Sequence, residues 1–229
     1  MLQSGCNLKH YYPDGSSLSD HDPIAAMPTA CQKEARELRS TGRITSARWC
    51  PSPNYNDRPE AITPSLIVVH NISLPPGRFS GDAIEQFFCN QLDPSAHPYF
   101  QTIADLKVSS HLLIRRDGSV LQFVNLRDRA WHAGRSSFRG ENECNDFSVG
   151  IELEGTDDDA YAEAQYEQLA VLSALIMAAW PEITPERVTG HSDIAPGRKT
   201  DPGAAFDWSH FLDLLQLRVP SGLTNGSDC

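Results

Sequence analysis

The stretch Leu66–Ile72, LIVVHNI, restricts the fold more than any other part of the chain. It is a continuous apolar run with β-branched residues, bounded by Pro64 and by Pro75-Pro76. Such a run predicts a buried central strand. Other segments must then cover it. His111–Val124 predicts a hairpin, because Asp117-Gly118 separates the runs HLLIRR and SVLQFV. Phe147–Glu154, FSVGIELE, alternates as a strand, with Phe147, Val149, Ile151 and Leu153 on one face and Ser148, Gly150, Glu152 and Glu154 on the other. A short strand and then a Pro/Asn loop are expected over 44–59, and a loop over 93–100. Helices are expected over 81–90, with Ile84, Phe87 and Phe88 on one face, and over 162–179, with Tyr166, Leu169, Leu172, Ile176 and Ala179 as the buried stripe. A last helix is expected over 206–217, with Phe206, Leu212 and Leu215 turned inward. This order predicts a single α/β (α+β) domain over 44–217, one central sheet with helices packed on it.

The flanks differ in character. Residues 1–43 show no sustained period and are expected to form a mostly disordered extension, with a short charged helix over 31–40 at best. His10 and His21 are expected to face solvent there, and Met27 offers an alternative start. Residues 218–229 are expected to be a flexible tail. The net charge of −11 argues against nucleic acid or an anionic membrane as the main partner, while leaving room for an acidic small substrate in a local cationic pocket. The opening residues lack an apolar signal-peptide core, and no run approaches the roughly 18 apolar residues of a membrane span. The six cysteines include no C-x-x-C pair, so they read as reduced thiols of a cytoplasmic protein.

Chemistry concentrates in Thr189–Gly203, TGHSDIAPGRKTDPG. Gly and Pro at this density force the path of a loop. The loop carries His191, Asp193, Arg198, Lys199 and Asp201, and it reads either as a site or as a solvated surface loop whose charges pair with one another. His70, near the end of the central strand, reads either as a hydrogen-bonded core histidine or as a ligand. Glu152 and Glu154 share one strand face, which reads either as a solvated outer face or as part of a site. Trp131 and His132 read either as an aromatic plug beside a loop or as a cleft wall. Taken together, His70, His191 and Asp201 would make a three-ligand set for Zn²⁺ with a fourth position open. Glu152 would serve as general base and Lys199 as the cation at an oxyanion. These residues come from distant parts of the chain, so spacing does not establish the cluster.

The segments PSPNYNDRP (51–59), LIVVHNISLPPG (66–77), DPSAHPYF (93–100), VSSHLLIRRDG (108–118), RAWHAG (129–134), CNDFSVGIELEGTD (144–157) and TGHSDIAPGRKTDPGAAFDW (189–208) carry a resemblance. In this order they resemble the AmpD-type 1,6-anhydro-N-acetylmuramyl-L-alanine amidases. Those belong to the zinc amidase group related to T7 lysozyme and the peptidoglycan recognition proteins. The resemblance implies a mixed β-sheet flanked by helices and a Zn²⁺ site formed by His70, His191 and Asp201. It also implies Glu152 and Lys199 as catalytic residues. The implied reaction cleaves the amide between 1,6-anhydro-N-acetylmuramic acid and L-alanine of a small muropeptide, in cell-wall recycling linked to β-lactamase regulation. Asn71, Lys107, Trp131 and Arg198 are the expected substrate contacts, and the chain is expected to act as a monomer. The alternative on the same fold is a non-catalytic muropeptide-binding sensor.

Overall fold

The computed structural model describes residues 29–219. In chain order its elements are α1 (Thr29–Thr41), β1 (Arg48–Trp49), β2 (Tyr55–Asn56), β3 (Leu66–Ile72), α2 (Ala83–Phe88), α3 (Pro98–Ile103), β4 (Leu112–Ile114) and β5 (Val120–Gln122). There follow β6 (Arg129–Ala130), β7 (Ser137–Phe138), β8 (Glu141–Asn142), β9 (Ser148–Glu154), α4 (Glu163–Ala179), β10 (Val188–Gly190), α5 (His191–Ile194) and α6 (Trp208–Gln216). Six strands form one sheet in the order β1-β5-β4-β9-β3-β10. The β4–β5 hairpin is antiparallel and every other neighbour pair is parallel, so the sheet is mixed, as expected.

The apolar run takes the place its composition demands. β3 lies between β9 and β10, with Val69 opposite Ile151 on one side and Gly190 on the other. Alternate residues of the sheet face two layers. Ile67, Val69, Val149 and Ile151 pack with α1, α4 and α6 in the main core. On the other face Leu113 and Leu121 pack with α2 and α3, while Leu66 and Val68 pack with Ala133, Cys144 and Ile194. The site lies on this second face.

Four expectations are corrected. The extension does not reach residue 43: α1 is a 13-residue helix whose Cys31, Ala35 and Leu38 are buried in the main core, so the ordered chain begins before residue 44. These residues recur at helical spacing, but three small or single apolar positions in a charged segment give a weak pattern. Residues 1–28, with His10 and His21, and residues 220–229 lie outside the described residues. Cys31 is disulfide-bonded, so the cysteines are not all thiols; Cys50, Cys89 and Cys144 are free. The final helix starts at Trp208 and buries Phe211 and Leu215, four residues apart, while Leu212 is 40% exposed. Within 93–100, Pro98 opens α3, and the His97 ring accepts a hydrogen bond from the Tyr99 amide as its cap.

The acidic face of β9 is not solvated either. All seven residues of β9 are buried, because helices cover one face and loops with α2 cover the other. Glu154 is 3% exposed and accepts a hydrogen bond from Arg115 Nη1 at 2.7 Å and from the Arg116 amide at 3.2 Å. Arg115 in turn reaches Glu85 at 2.9 Å. Removing one member of a buried ion pair strands the other charge, at about 3–5 kcal/mol. Glu154→Ala is therefore expected to lower stability by about 3 kcal/mol in urea unfolding, and the double variant Arg115→Met with Glu154→Leu to recover most of that loss.

Candidate metal centre

His70 and His191 meet because their strands are neighbours. Val69 pairs with Gly190, so the next residue on each chain stands at the same end of the sheet. β10 ends there and α5 begins at His191. The turn is set by Asp193, whose Oδ2 accepts hydrogen bonds from the Gly190 amide at 2.9 Å and from Thr189 Oγ1 at 3.0 Å. Asp193 thus folds the loop and is not one of the converging residues. The chain then loops back until the Ser192 amide donates to the Asp201 carbonyl at 2.9 Å. Gly203 passes so close to Asp157 that a Cβ would lie 2.1 Å from its Cα, and its φ is +83°. Asn71 ties the same corner, donating from Nδ2 to Asp157 Oδ1 at 2.8 Å and to the Pro202 carbonyl at 3.1 Å.

The result is a tight triangle. His70 Nδ1 and His191 Nδ1 are 2.9 Å apart, and each is 3.0 Å from Asp201 Oδ2. Both imidazoles are 2% exposed. Burial is the main cause that lowers the His70 pKa to about 4, so this ring is neutral. Burial would raise Asp201, but the hydrogen bonds from the two imidazoles outweigh it and hold its pKa well below the usual carboxylate range. The other nitrogens are engaged behind the site, His191 Nε2 with the Ala133 carbonyl at 3.0 Å and His70 Nε2 with His132 Nδ1 at 2.9 Å. His191 Nε2 faces an atom that only accepts, so it carries the proton and Nδ1 offers a lone pair. Two imidazoles and a carboxylate converging in this way fit a divalent cation, and Zn²⁺ chemistry in particular.

Glu152 sits opposite His70 in the β9–β3 register, on the same face of the sheet. It is buried, and its Oε2 has no hydrogen-bond partner. Burial, and then the charge of Asp201, push its pKa well above the usual range, against the pull of Lys199. Lys199 is exposed, and its charge reaches both Glu152 and His70. The remaining expected contacts are distributed differently. Arg198 Nη2 donates to the carbonyls of Ala133 at 2.6 Å and Arg135 at 2.7 Å, which clamps the loop behind His191. Trp131 is partly buried, its Nε1 donating to Asn56 Oδ1 at 2.6 Å, and Lys107 is exposed between α3 and β4. Neither shares a hydrogen bond with the three converging residues.

Sequence reasoning took His132 as a plug or a cleft wall and passed over the layer it forms behind the ligands with Ala133, Asn145 and Ser148. One signal was available. Gly150 stands in a strand interior, and a glycine there marks close approach. A Cβ at Gly150 would lie 2.6 Å from the His132 ring.

A sequence profile of the N-acetylmuramoyl-L-alanine amidases matches residues 60–204, which include His70, Glu152, His191, Lys199 and Asp201. The chain belongs to this amidase family. It is 54% identical over 187 residues to the 1,6-anhydro-N-acetylmuramyl-L-alanine amidase AmpD of Salmonella typhimurium strain SL1344, covering 82% of this chain and 100% of that protein. The Escherichia coli K12 protein of the same name is 55% identical over 178 residues, covering 78% of this chain and 97% of that one. A crystal structure of a selenomethionine AmpD derivative superposes with a TM-score of 0.75 at 55% identity, over 76% of this chain and 97% of that one.

The state of Glu152 has a consequence for the metal-free amidase. Its folded pKa lies above its unfolded value of about 4.3, so its favourable contribution is full below that pH and is lost as pH rises. Glu152→Gln is expected to raise the urea midpoint of the metal-free protein at pH 7, with the gain shrinking toward pH 4. An unchanged midpoint at pH 7 would show that Glu152 carries no burial penalty.

Proposed function

We propose that this amidase hydrolyses the amide bond between 1,6-anhydro-N-acetylmuramic acid and L-alanine of the attached stem peptide, with Zn²⁺ held by His70, His191 and Asp201. One observation carries the reading: a metal-ligand triangle with 2.9–3.0 Å sides stands beside a buried carboxylate whose Oε2 has no partner. The name of the two AmpD relatives supplies the substrate. Held by these three residues, Zn²⁺ would supply Lewis acidity.

The chain's own residues account for the proton and charge movements. Glu152 takes the proton of the attacking water, and its raised pKa brings it nearer to neutral pH, where a general base works best. It then returns the proton to the leaving nitrogen as the carbon–nitrogen bond breaks, giving a carboxylic acid and a free amine, which exchange a proton to become carboxylate and ammonium. The Lys199 ammonium offsets the negative charge that develops on the carbonyl oxygen. Lys107 and Lys199, both exposed, supply positive charge for the carboxylates of the stem peptide, and Trp131 offers a ring face for the sugar. Asn71 keeps its amide oxygen for substrate while its nitrogen holds the loop. Arg198 acts by holding the loop behind His191. The proposed compartment is the cytoplasm, which three free cysteines favour and the Cys31 disulfide opposes. Among the described residues, no helix is long and apolar enough to cross a membrane.

Mass spectrometry of 1,6-anhydro-N-acetylmuramyl-tripeptide incubated with the protein tests the reading. Release of the free tripeptide is expected, with loss of activity on chelation and recovery on adding zinc. Asp201→Ala is expected to lose turnover, and Glu152→Gln to lower it about 10²–10⁴-fold with the metal retained. Full turnover by metal-free protein would overturn the zinc reading. Tight muropeptide binding without turnover in zinc-replete buffer would favour the non-catalytic sensor instead.

A further inference from the structure

We infer that His132 is a positioning residue for the metal centre: it accepts the Nε2 proton of His70 and so turns the His70 Nδ1 lone pair toward His191 and Asp201. The inference rests on the zinc reading of the site given above. The direction of each hydrogen bond follows from the far end of the relay. The Cys144 carbonyl only accepts, so Ser148 Oγ, 2.5 Å away, donates its proton there. The Ser148 oxygen is left to accept, and it faces His132 Nε2 at 3.1 Å. A neutral imidazole has one donor and one acceptor nitrogen. His132 therefore carries its proton on Nε2 and presents a bare Nδ1 to His70 Nε2 at 2.9 Å. His70 must donate, which leaves its lone pair on Nδ1, the atom at the triangle.

The surroundings hold the His132 ring for this task. Gly150 leaves the space the ring occupies. Asn145 Oδ1 accepts from the backbone amides of His132 at 3.1 Å and Ala133 at 2.8 Å, and the Trp131 amide donates to Ser109 Oγ at 3.0 Å. The neighbouring ring of His111 does not compete, since its Nδ1 accepts from the Gly150 amide at 2.9 Å and its Nε2 donates to the Asp128 carbonyl at 3.1 Å. The same short segment serves the second ligand, because the Ala133 carbonyl accepts from His191 Nε2. Loss of such a partner behind a ligand weakens metal binding about 10–100-fold.

The test measures zinc affinity of the metal-stripped full chain, by competition with a chromogenic chelator, for wild type, His132→Phe, His132→Asn and Ser148→Ala. Nitrogen-15 histidine NMR of the metal-free proteins reads the His70 tautomer in parallel. Asn places its side-chain oxygen where the imidazole Nδ1 stood, so it keeps the acceptor that Phe removes. The expected result is about 10–100-fold weaker zinc binding for His132→Phe, near-wild-type binding for His132→Asn and an intermediate loss for Ser148→Ala. Wild-type His70 is expected as the Nε2–H tautomer, and as a mixture in His132→Phe. Should the Phe variant fail to fold, Ser148→Ala carries the same signs. Equal zinc affinity across the variants with an unchanged tautomer overturns the inference. Wild type that binds no zinc removes the metal reading instead, and the His70 tautomer alone then judges the role of His132.

Discussion

Two imidazole nitrogens and a carboxylate oxygen held within 2.9–3.0 Å of one another are the arrangement on which the rest of this structure depends. Electron-rich atoms this close repel unless a cation or a shared proton lies between them. The scaffold therefore has to hold them from outside. It does so by parallel pairing of β3 with β10, which sets His70 beside His191, and by a loop that returns Asp201 through the Ser192–Asp201 backbone bond. Asp193, Gly203 and Asn71 fix that return, and Arg198 fixes the carbonyl behind His191. The charged residues of this loop therefore divide into those that face the centre and those that keep it in place.

Glu152 and Glu154 show how environment assigns roles to one residue type. Both project from β9 on the same face, and both are buried. Glu154 has Arg115 against it, which compensates its charge and makes it part of the framework. Glu152 has an oxygen with no partner and the negative Asp201 nearby, so its proton is held more tightly. The framework carboxylate is held in place by pairing. The reactive one holds its proton more tightly because burial and the nearby Asp201 disfavour its charged form. In a chain of net charge −11, these local arrangements matter more than the overall balance.

Much of the fold was legible. The run at Leu66–Ile72 fits only a covered strand, Asp117-Gly118 between apolar runs turns a hairpin, and the stripe of α4 lies where its period placed it. What escaped did so for physical reasons. Helix α1 buries small and isolated residues, Cys31, Ala35 and Leu38, whose hydrophobic signal is weak against the charges between them. In α6 the buried pair is Phe211 and Leu215, four residues apart, and Leu212 falls beside that stripe. Alternation along β9 separated its faces correctly but gave no sign that the polar face would be covered, since that depends on which loops cross it.

Read alone, the chain's sequence settles the central strand and supplies an ordered set of histidines, carboxylates and cations matching the amidase family. Local patterning and residue chemistry are enough for that. Folding decides the rest: which nitrogen of each imidazole faces the centre, why Arg198 is engaged with backbone carbonyls, and how His132 comes to stand behind His70 in the space left by Gly150. Each of these depends on atoms far apart along the chain, and their separation and direction are set only when the layers pack.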